Sequence, residues 1–289
     1  MTNVVERARA KINLTLNVLG RRSDGYHSLI SLVAFANAGD QVRLIADEPP
    51  GLTITGPFAD SITSENILER AFVLLSQAEP RLSLGHVYLD KQLPVAAGIG
   101  GGSSDAAAFL RAVRRANPEF HDRIDWMAIA RRLGADVTVC FANRGSWMSG
   151  TGETLHELNS PLPELAAVLV NPMVCVPPDK TARVFQLLGA APLDEARDAP
   201  LPDISSRSGL LSLMAGVGND LEAPATIIVP QIADVLESLE ASPGIEIARL
   251  SGAGPTCFGI FADRPAAEAA ARRISAAQPG WWVRDTTIG

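Results

Sequence analysis

The sequence lacks the features that mark secreted, membrane-spanning and zinc-binding proteins. Its three cysteines, Cys140, Cys175 and Cys257, lie far apart and form no Cys-x-x-Cys pair, which argues against a disulfide framework and a structural zinc site. No run of about 18 apolar residues occurs, and the first residues lack the apolar core of a signal peptide. We therefore expect a cytosolic protein without a membrane partner, and cysteines that act as small buried side chains.

Clusters of basic residues are also missing, and the formal net charge is −7 at pH 7. Because nucleic acids are bound mainly by clustered Lys and Arg, we expect no nucleic-acid partner. A small phosphate ligand is still allowed, since charges farther than about 8 Å are largely screened at physiological salt, whereas a helix N-terminus acts at contact range. Composition does not decide the oligomeric state, and a monomer or a weak homodimer is the expectation.

A glycine-rich stretch, here called the first glycine segment, lies between a predicted strand that contains Val87 and Leu89 and a predicted helix over residues 104–115. It consists of Pro94, Val95, Ala96, Ala97, Gly98, Ile99, Gly100, Gly101, Gly102, Ser103 and Ser104. Glycines allow positive φ and close approach to a bulky anion, and the first N–H groups of a helix are unpaired donors. The segment therefore predicts a binding site for a nucleotide triphosphate.

Two familiar glycine motifs fit this segment badly. A P-loop needs a lysine before the final Ser or Thr, and a Rossmann fingerprint needs a glycine where Ser103 stands. The alternative to a phosphate site is a tight turn from strand to helix. At the start of the helix, Ser103, Ser104 and Asp105 predict an N-terminal cap.

Residues 10–18 alternate between apolar and polar side chains, which predicts a half-buried strand whose polar face includes Lys11 and Asn13. Asp136 follows Gly134, the predicted end of a helix over residues 126–133. Lys11 and Asp136 are either a solvated lysine and a turn aspartate or a catalytic pair. In the second hypothesis Asp136 accepts a proton from a substrate alcohol, and Lys11 keeps that carboxylate ionised and oriented.

A second glycine segment, residues 251–256, lies between two apolar strands. Its Ser251, Gly252, Ala253 and Gly254 either form an ordinary turn or present backbone N–H groups that close on the phosphates.

Tyr26 and His27 follow a turn at Asp24 and Gly25. They are either an exposed loop pair or a recognition site for a planar heterocycle, which a ring can stack on and an imidazole can hydrogen-bond as donor and acceptor.

The remaining pattern predicts an α+β protein of two domains. The Pro-containing stretch 159–163 is typical of a linker, so we place the domains at residues 1–158 and 159–289. Further strands are predicted at 29–35, 41–46, 165–170, 245–250, 257–261 and 282–286; further helices at 66–77, 181–188, 232–239 and 265–277; and a Pro- and Asp-rich loop at 190–202.

Together these segments resemble the GHMP small-molecule kinases. The motifs that carry the resemblance are the first glycine segment, Ala10-Lys11-Ile12-Asn13-Leu14, Asp24-Gly25-Tyr26-His27, Leu133-Gly134-Ala135-Asp136-Val137, Asn219-Asp220-Leu221-Glu222 and the second glycine segment. The resemblance implies a ribosomal-S5-like N-terminal domain, a ferredoxin-like C-terminal domain, and transfer of the ATP γ-phosphoryl group to the 2-hydroxyl of a diphosphocytidyl alcohol.

The resemblance also implies roles for residues. Asp136 would be the base and Lys11 its partner, and the first glycine segment would bind ATP. Mg²⁺ is expected with unknown ligands, Ser103, Ser104 and Asp105 being the nearest candidates. The residues expected near the cytidyl substrate are Asn13, Tyr26, His27, Thr181 and Phe185, with Tyr26 and Phe185 flanking the cytosine ring.

Two departures from the family pattern occur. Thr138 stands where many members have proline, and Pro177-Pro178-Asp179-Lys180 replaces a shorter approach to Thr181. The alternatives are a GHMP kinase for another alcohol such as homoserine or mevalonate, and a nucleotide-binding sensor without catalysis. A third alternative, a helix-turn-helix regulator, is poorly supported because the net charge is acidic.

Overall fold

The computed structural model describes residues 2–62, 66–193, 202, 204 and 206–289, and they form two compact units. The first unit comprises Met1–Ala10, Gly39–Val95 and Gly100–Asn143, and the second comprises Lys11–Ala38, Ala96–Ile99 and Arg144–Gly289. The chain passes between the units several times, so neither is one continuous stretch. The domain boundary after residue 158 stays a prediction.

The strands and helices of the described residues are as follows. The strands are β1 (Asn3–Asn13), β2 (Asn17–Arg21), β3 (His27–Ile45), β4 (Gly51–Thr55), β5 (His86–Asp90), β6 (Ser146–Gly150), β7 (Thr154–Glu157), β8 (Leu165–Asn171), β9 (Ile245–Leu250), β10 (Cys257–Phe261) and β11 (Trp282–Ile288). The helices are α1 (Ile67–Ala78), α2 (Gly101–Ala116), α3 (Trp126–Leu133), α4 (Ala135–Ala142), α5 (Lys180–Leu188), α6 (Arg207–Val217), α7 (Glu222–Ile228), α8 (Gln231–Glu240) and α9 (Arg264–Ala277), with 3₁₀ turns at Ala59–Ser61 and Pro118–Phe120.

The first unit combines a small mixed sheet with helices α1 to α4, which pack on one another. Strand β5 pairs antiparallel with the end of β3 and parallel with β4. Helix α1 begins where the sequence predicts, because Asn66 and Glu69 form a capping box: the Asn66 side chain accepts from Leu68 N at 3.0 Å, and Glu69 accepts from Asn66 N at 3.1 Å.

The second unit contains an antiparallel sheet in the order β11–β8–β10–β9. Strand β10 is buried along its whole length, so its apolar run carries no alternation. Helices α8 and α9 pack on this sheet, and α7 packs on α5. The core that results, which includes Val168, Phe261 and Ile274, holds the second glycine segment between two rigid strands.

Several predictions about elements are wrong in an informative way. Strand β3 is continuous where two strands were expected, and the single strand predicted at 10–18 is divided between the end of β1 and the start of β2. Asn13 and Thr15 on its predicted polar face are buried, at 4% and 1% exposed. Cys175 is exposed, whereas Cys140 and Cys257 are buried as expected. The loop predicted at 190–202 lies mostly outside the described residues.

A segment that could cross a membrane was not expected from the sequence. Among the described helices, none is both long and apolar enough for that.

Candidate functional site

The first glycine segment has the backbone that the sequence predicts. Gly98 and Gly100 adopt φ of +78° and +64°, values that disfavour any residue with a Cβ. Helix α2 begins at Gly101, with Gly100 as its N-cap, and no described side chain caps it. The predicted cap by Ser103, Ser104 and Asp105 is therefore wrong, because these residues lie inside the helix. The N-terminus of α2 thus presents backbone donors without a competing side chain.

Within the second unit, residues 96–99 of the first glycine segment meet the second one. Thr256 N donates to Ala97 O at 3.1 Å, and the Ser251 hydroxyl donates to Gly98 O at 3.3 Å. A Cβ added to Gly98 would lie 2.6 Å from the carbonyl oxygen of Gly254. The close approach of these two backbones therefore requires glycine at position 98.

Lys11 and Asn13 lie beside the same two segments. Lys11 N donates to Ile99 O in the first glycine segment at 2.9 Å, and Asn13 N donates to the Ser251 hydroxyl in the second at 3.2 Å. The Asn13 amide also donates to the Ser31 hydroxyl at 2.7 Å. Both residues are buried, so the face of the strand that the sequence predicts to be polar and half-buried is not exposed at these two positions.

Asp136 lies in the first turn of helix α4, not in the turn that was the alternative interpretation. It is half-buried, and the N-terminal end of a helix favours a negative charge. Asp136 belongs to the first unit and Lys11 to the second. Their roles as base and partner stay predictions.

The ring of His27 stacks on the ring of Phe185, with centroids 4.7 Å apart and an interplanar angle of 21°. Burial and the charge of Arg21 lower the pKa of His27, which favours the neutral imidazole that both donates and accepts. Tyr26 is 67% exposed, and Thr181 is exposed as well. The structure thus joins His27 to Phe185, whereas the resemblance pairs Phe185 with Tyr26 around a cytosine ring.

The motif at residues 219–222 supports the second glycine segment. The Asn219 amide donates to the carbonyl oxygens of Leu250 and Gly252, each at 2.9 Å, and Glu222 accepts from Leu250 N at 2.8 Å. Asp220 accepts from Val18 N at 2.7 Å. The polar atoms of these side chains are thus used in hydrogen bonds to the protein backbone, and they hold the second glycine segment in place. The sequence pattern alone did not assign them this role.

A buried ion network lies behind the start of α2 in the first unit. The ammonium of Lys91 contacts Asp40 and lies 2.8 Å from Asp105, and Asp40 also accepts from Leu93 N at 2.7 Å. Burial would lower the pKa of Lys91, but the charges of Asp105 and Asp40 outweigh it and raise that pKa. Burial raises the pKa of Asp105 well above its usual range, and its Oδ1 has no hydrogen-bond partner among the described residues.

These contacts narrow the candidates for holding a metal ion. Asp105 is engaged by Lys91, and the Ser104 hydroxyl donates to Arg9 O at 2.7 Å. Ser103 is half-buried in the first turn of α2. In the described part of the chain, no group of three or more His, Cys, Asp or Glu is arranged to hold a metal.

Lys180 is the third buried lysine, and the sequence reasoning missed it. It is the first residue of α5, is 5% exposed, and its ammonium donates to the carbonyl oxygen of Gly254. A usable signal was present: Lys11, Lys91 and Lys180 are the only lysines among 25 basic residues. Lysine is normally exposed, and here all three are buried.

Comparison with known proteins assigns the family. Residues 66–144 match the GHMP kinases N terminal domain, and residues 201–280 match the GHMP kinases C terminal domain. A 4-diphosphocytidyl-2-C-methyl-D-erythritol kinase from Methylobacterium radiotolerans is 48% identical over 100% of both chains. One of the same name from Rhodopseudomonas palustris is 46% identical over 98% of this chain and 94% of that protein.

Solved structures agree with this assignment. A crystal structure of 4-(cytidine 5'-diphospho)-2C-methyl-D-erythritol kinase has a TM-score of 0.77 and 32% identity over 99% of both chains. Homoserine kinase from Cytophaga hutchinsonii has a TM-score of 0.66 at 16% identity, over 100% of this chain and 95% of that one, and shares the fold alone. The predicted two-domain α+β fold of the GHMP type is confirmed.

Proposed function

This chain belongs to the GHMP kinases, and we propose that it phosphorylates 4-diphosphocytidyl-2-C-methyl-D-erythritol. ATP donates its γ-phosphoryl group to the 2-hydroxyl of this alcohol, a step in the non-mevalonate route to isoprenoid precursors. The observation that carries the proposal is the end-to-end similarity to kinases of that name. The contact between Gly98 and the second glycine segment supports it, because the two segments that we assign to phosphates approach each other there.

The protein needs to form no covalent bond to the phosphoryl group that is transferred. It therefore lowers the activation barrier mainly by aligning the reactants and by neutralising charge on that group. We assign the N-terminus of α2 and the first glycine segment to the phosphates of ATP, and the second glycine segment to closure on them. Asp136 takes the proton of the 2-hydroxyl as the alcohol oxygen attacks the γ-phosphorus. Lys11 keeps the Asp136 carboxylate ionised and oriented.

Mg²⁺ is the metal that this chemistry requires, and bound to the triphosphate it would neutralise charge on the phosphate oxygens. Ser103 is the residue we assign to hold it, because the Ser104 hydroxyl and the Asp105 carboxylate already have protein partners. Few carboxylate ligands are needed, since Mg²⁺ retains waters and binds substrate phosphates.

On the substrate side, we assign Asn13, Tyr26, His27, Thr181 and Phe185 to the cytidyl group. The supporting observation is the His27–Phe185 ring pair, a flat apolar surface with an imidazole edge that suits a pyrimidine. The remaining expectations stay predictions from the sequence: a cytosolic location, a monomer or weak homodimer, and no nucleic-acid or membrane partner.

An ADP-release assay with the purified protein tests the proposal. The alcohols to compare are 4-diphosphocytidyl-2-C-methyl-D-erythritol, homoserine and mevalonate, each with ATP and Mg²⁺. We expect turnover with the first alone. Turnover with homoserine or mevalonate instead would reassign the substrate, and nucleotide binding without any turnover would indicate a sensor.

The assigned base is tested by Asp136→Asn, which should lower kcat by about 10² or more while both substrates still bind. Asp234→Asn is the matched control, because Asp234 is an exposed aspartate in the first turn of another helix, α8. Steady-state kinetics and calorimetric binding measure the two effects. Near-normal turnover in Asp136→Asn would contradict the assignment.

A further inference from the structure

Lys180 lies outside every motif that the chain shares with the GHMP kinases. It ends the stretch Pro177-Pro178-Asp179-Lys180, where this sequence departs from the family pattern. None of the catalytic and binding roles assigned above involves its side chain. Lys180 nevertheless lies between two groups of residues that have such roles, the second glycine segment and the residues assigned to the cytidyl group.

The first step is geometric. The Lys180 ammonium donates to the carbonyl oxygen of Gly254 in the second glycine segment. Helix α5, which begins at Lys180, continues directly into Thr181 and carries Phe185, whose ring stacks on His27. The ammonium therefore lies at the glycine segment assigned to closure on the ATP phosphates, and its own helix is the one assigned to the cytidyl group. Because that helix carries Phe185, the phosphate nearest to it is expected to be that of the cytidyl substrate.

The second step concerns charge. An ammonium has three donors, and a carbonyl oxygen uses one of them without supplying a full negative charge. Burial alone lowers the pKa of Lys180 to about 8. A cation this buried normally has a carboxylate partner, but among the described residues no carboxylate contributes to that pKa shift.

The charged groups on the surrounding elements do not supply a carboxylate partner for Lys180. Next to it are Asp179, the exposed N-cap residue of α5, and the exposed Arg183 on that helix. On α7, which packs against α5, the charged residue is Glu222, and one of its oxygens accepts from Leu250 N at 2.8 Å. The Cys257 thiol, at the end of the glycine segment, has a pKa raised by burial and stays neutral.

We propose that Lys180 is a substrate-binding residue whose ammonium binds a phosphate oxygen of the diphosphate group of the cytidyl substrate. The inference rests on the proposed function, because it takes the substrate to be a nucleoside diphosphate derivative. A phosphate beside the ammonium supplies both the missing negative charge and acceptors for the remaining N–H groups. The compact ammonium suits a site whose other donors are backbone amides.

The experiment compares the binding of CDP and of cytidine by calorimetry at pH 7. Because a hydrogen bond to a charged group is lost, Lys180→Met should weaken CDP binding by about 10- to 100-fold and leave cytidine binding unchanged. Lys180→Arg should retain most of the CDP affinity. Arg183→Met is the matched control: it removes one positive charge from the same helix, but from an exposed position, and should change neither affinity.

The wild-type protein offers a second readout that needs no variant. Its affinity for CDP should fall as the pH rises through about 8, the pKa of Lys180, whereas its affinity for cytidine should not. This profile decides the question even if Lys180→Met does not fold, as judged by circular dichroism. A CDP affinity that is independent of pH, or unchanged in folded Lys180→Met, overturns the inference.

Two further outcomes are separated by design. If Lys180→Met weakens binding of a non-hydrolysable ATP analogue and leaves CDP unaffected, the lysine serves ATP and the inference is wrong. If the wild-type protein fails to phosphorylate the cytidyl alcohol, the proposed function is wrong. The inference about Lys180 can still be tested, because calorimetry measures CDP binding without turnover. In the active enzyme, Lys180→Met should raise the KM for the cytidyl substrate at least ten times more than the KM for ATP.

Discussion

Lys91 in the first unit and Lys180 in the second are almost equally buried, at 3% and 5% exposure, yet their pKa values shift in opposite directions. Lys91 contacts two carboxylates, Asp40 and Asp105. Lys180 contacts a backbone carbonyl. Burial penalises both ammonium groups, so the partner decides which protonation state each one prefers.

This difference between Lys91 and Lys180 indicates two roles for a buried charge, one in the stability of the fold and one in binding an anion. Lys91 has its carboxylate partners within the protein, so its effect is on the stability of the unit that holds α2. The charge of Lys180 is not balanced by the protein, so its effect should appear when an anion binds. Three measurements of unfolding test this difference between the two lysines.

The largest effect is expected from Lys91→Met. It removes the cation that Asp40 and Asp105 share and leaves two buried carboxylates, which should lower the free energy of unfolding by about 3 to 5 kcal/mol. Lys180→Met is the matched substitution at equal burial and should cost less than about 1 kcal/mol, because it removes a charge that burial disfavours. Urea unfolding at pH 7 measures both, and equal losses would erase the contrast.

A smaller effect is expected from pH. The pKa of Lys180 is about 8 in the folded protein and 10.5 in the unfolded chain, so the unfolded chain binds more protons between these values. Stability from this group therefore rises with pH through that window and is lost as pH falls through 8. From pH 8 to pH 10 the unfolding free energy of the wild type should gain about 2 kcal/mol relative to Lys180→Met. A constant difference would contradict the lowered pKa.

The smallest effect distinguishes the two carboxylates of the Lys91 network. Asp40→Asn should cost about 1 to 3 kcal/mol, because Asp40 accepts from the backbone amides of Gln92 and Leu93 as well as from Lys91. Asp105→Asn should cost less than about 1 kcal/mol, because Asp105 has a raised pKa and an oxygen without a hydrogen-bond partner. Urea unfolding at pH 7 compares them, and an equal cost would show that Lys91 needs both charges.

Much of the fold could be predicted from local patterns. Strands β9 and β10 and helix α3 have the predicted ends, because apolar periodicity and turn residues agree there. Helix α4 was missed, since Val137, Thr138 and Val139 are β-branched and disfavour helix in isolation; packing against α2 and α3 overrides that preference. The prediction divided strand β3 into two strands, because Ala36–Gly39 interrupts the apolar pattern with small and polar residues.

The candidate site was predictable only where a motif names its residues. Gly98, Lys11 and Asn13 were selected from their motifs. In the structure Gly98 and Asn13 contact the second glycine segment, and Lys11 contacts Ile99 of the first. Lys180 was not, because its contact with Gly254 spans 74 positions in the sequence. Side-chain periodicity does not predict a hydrogen bond to a backbone carbonyl so far away in the sequence. The small number of lysines was the one signal available, and it indicates that Lys180 is unusual but not which residue it contacts.

All three lysines of the sequence are interior residues, and arginine supplies the remaining basic side chains. Reagents and enzymes that acylate side-chain amines need an accessible nucleophile, and in the folded protein they find none on a lysine. Acetylation of the folded chain at lysine is thereby disfavoured, as is cross-linking through lysine side chains. Guanidinium groups keep their charge under the same chemistry, so the surface electrostatics of this enzyme are insensitive to a class of modification that alters many other proteins.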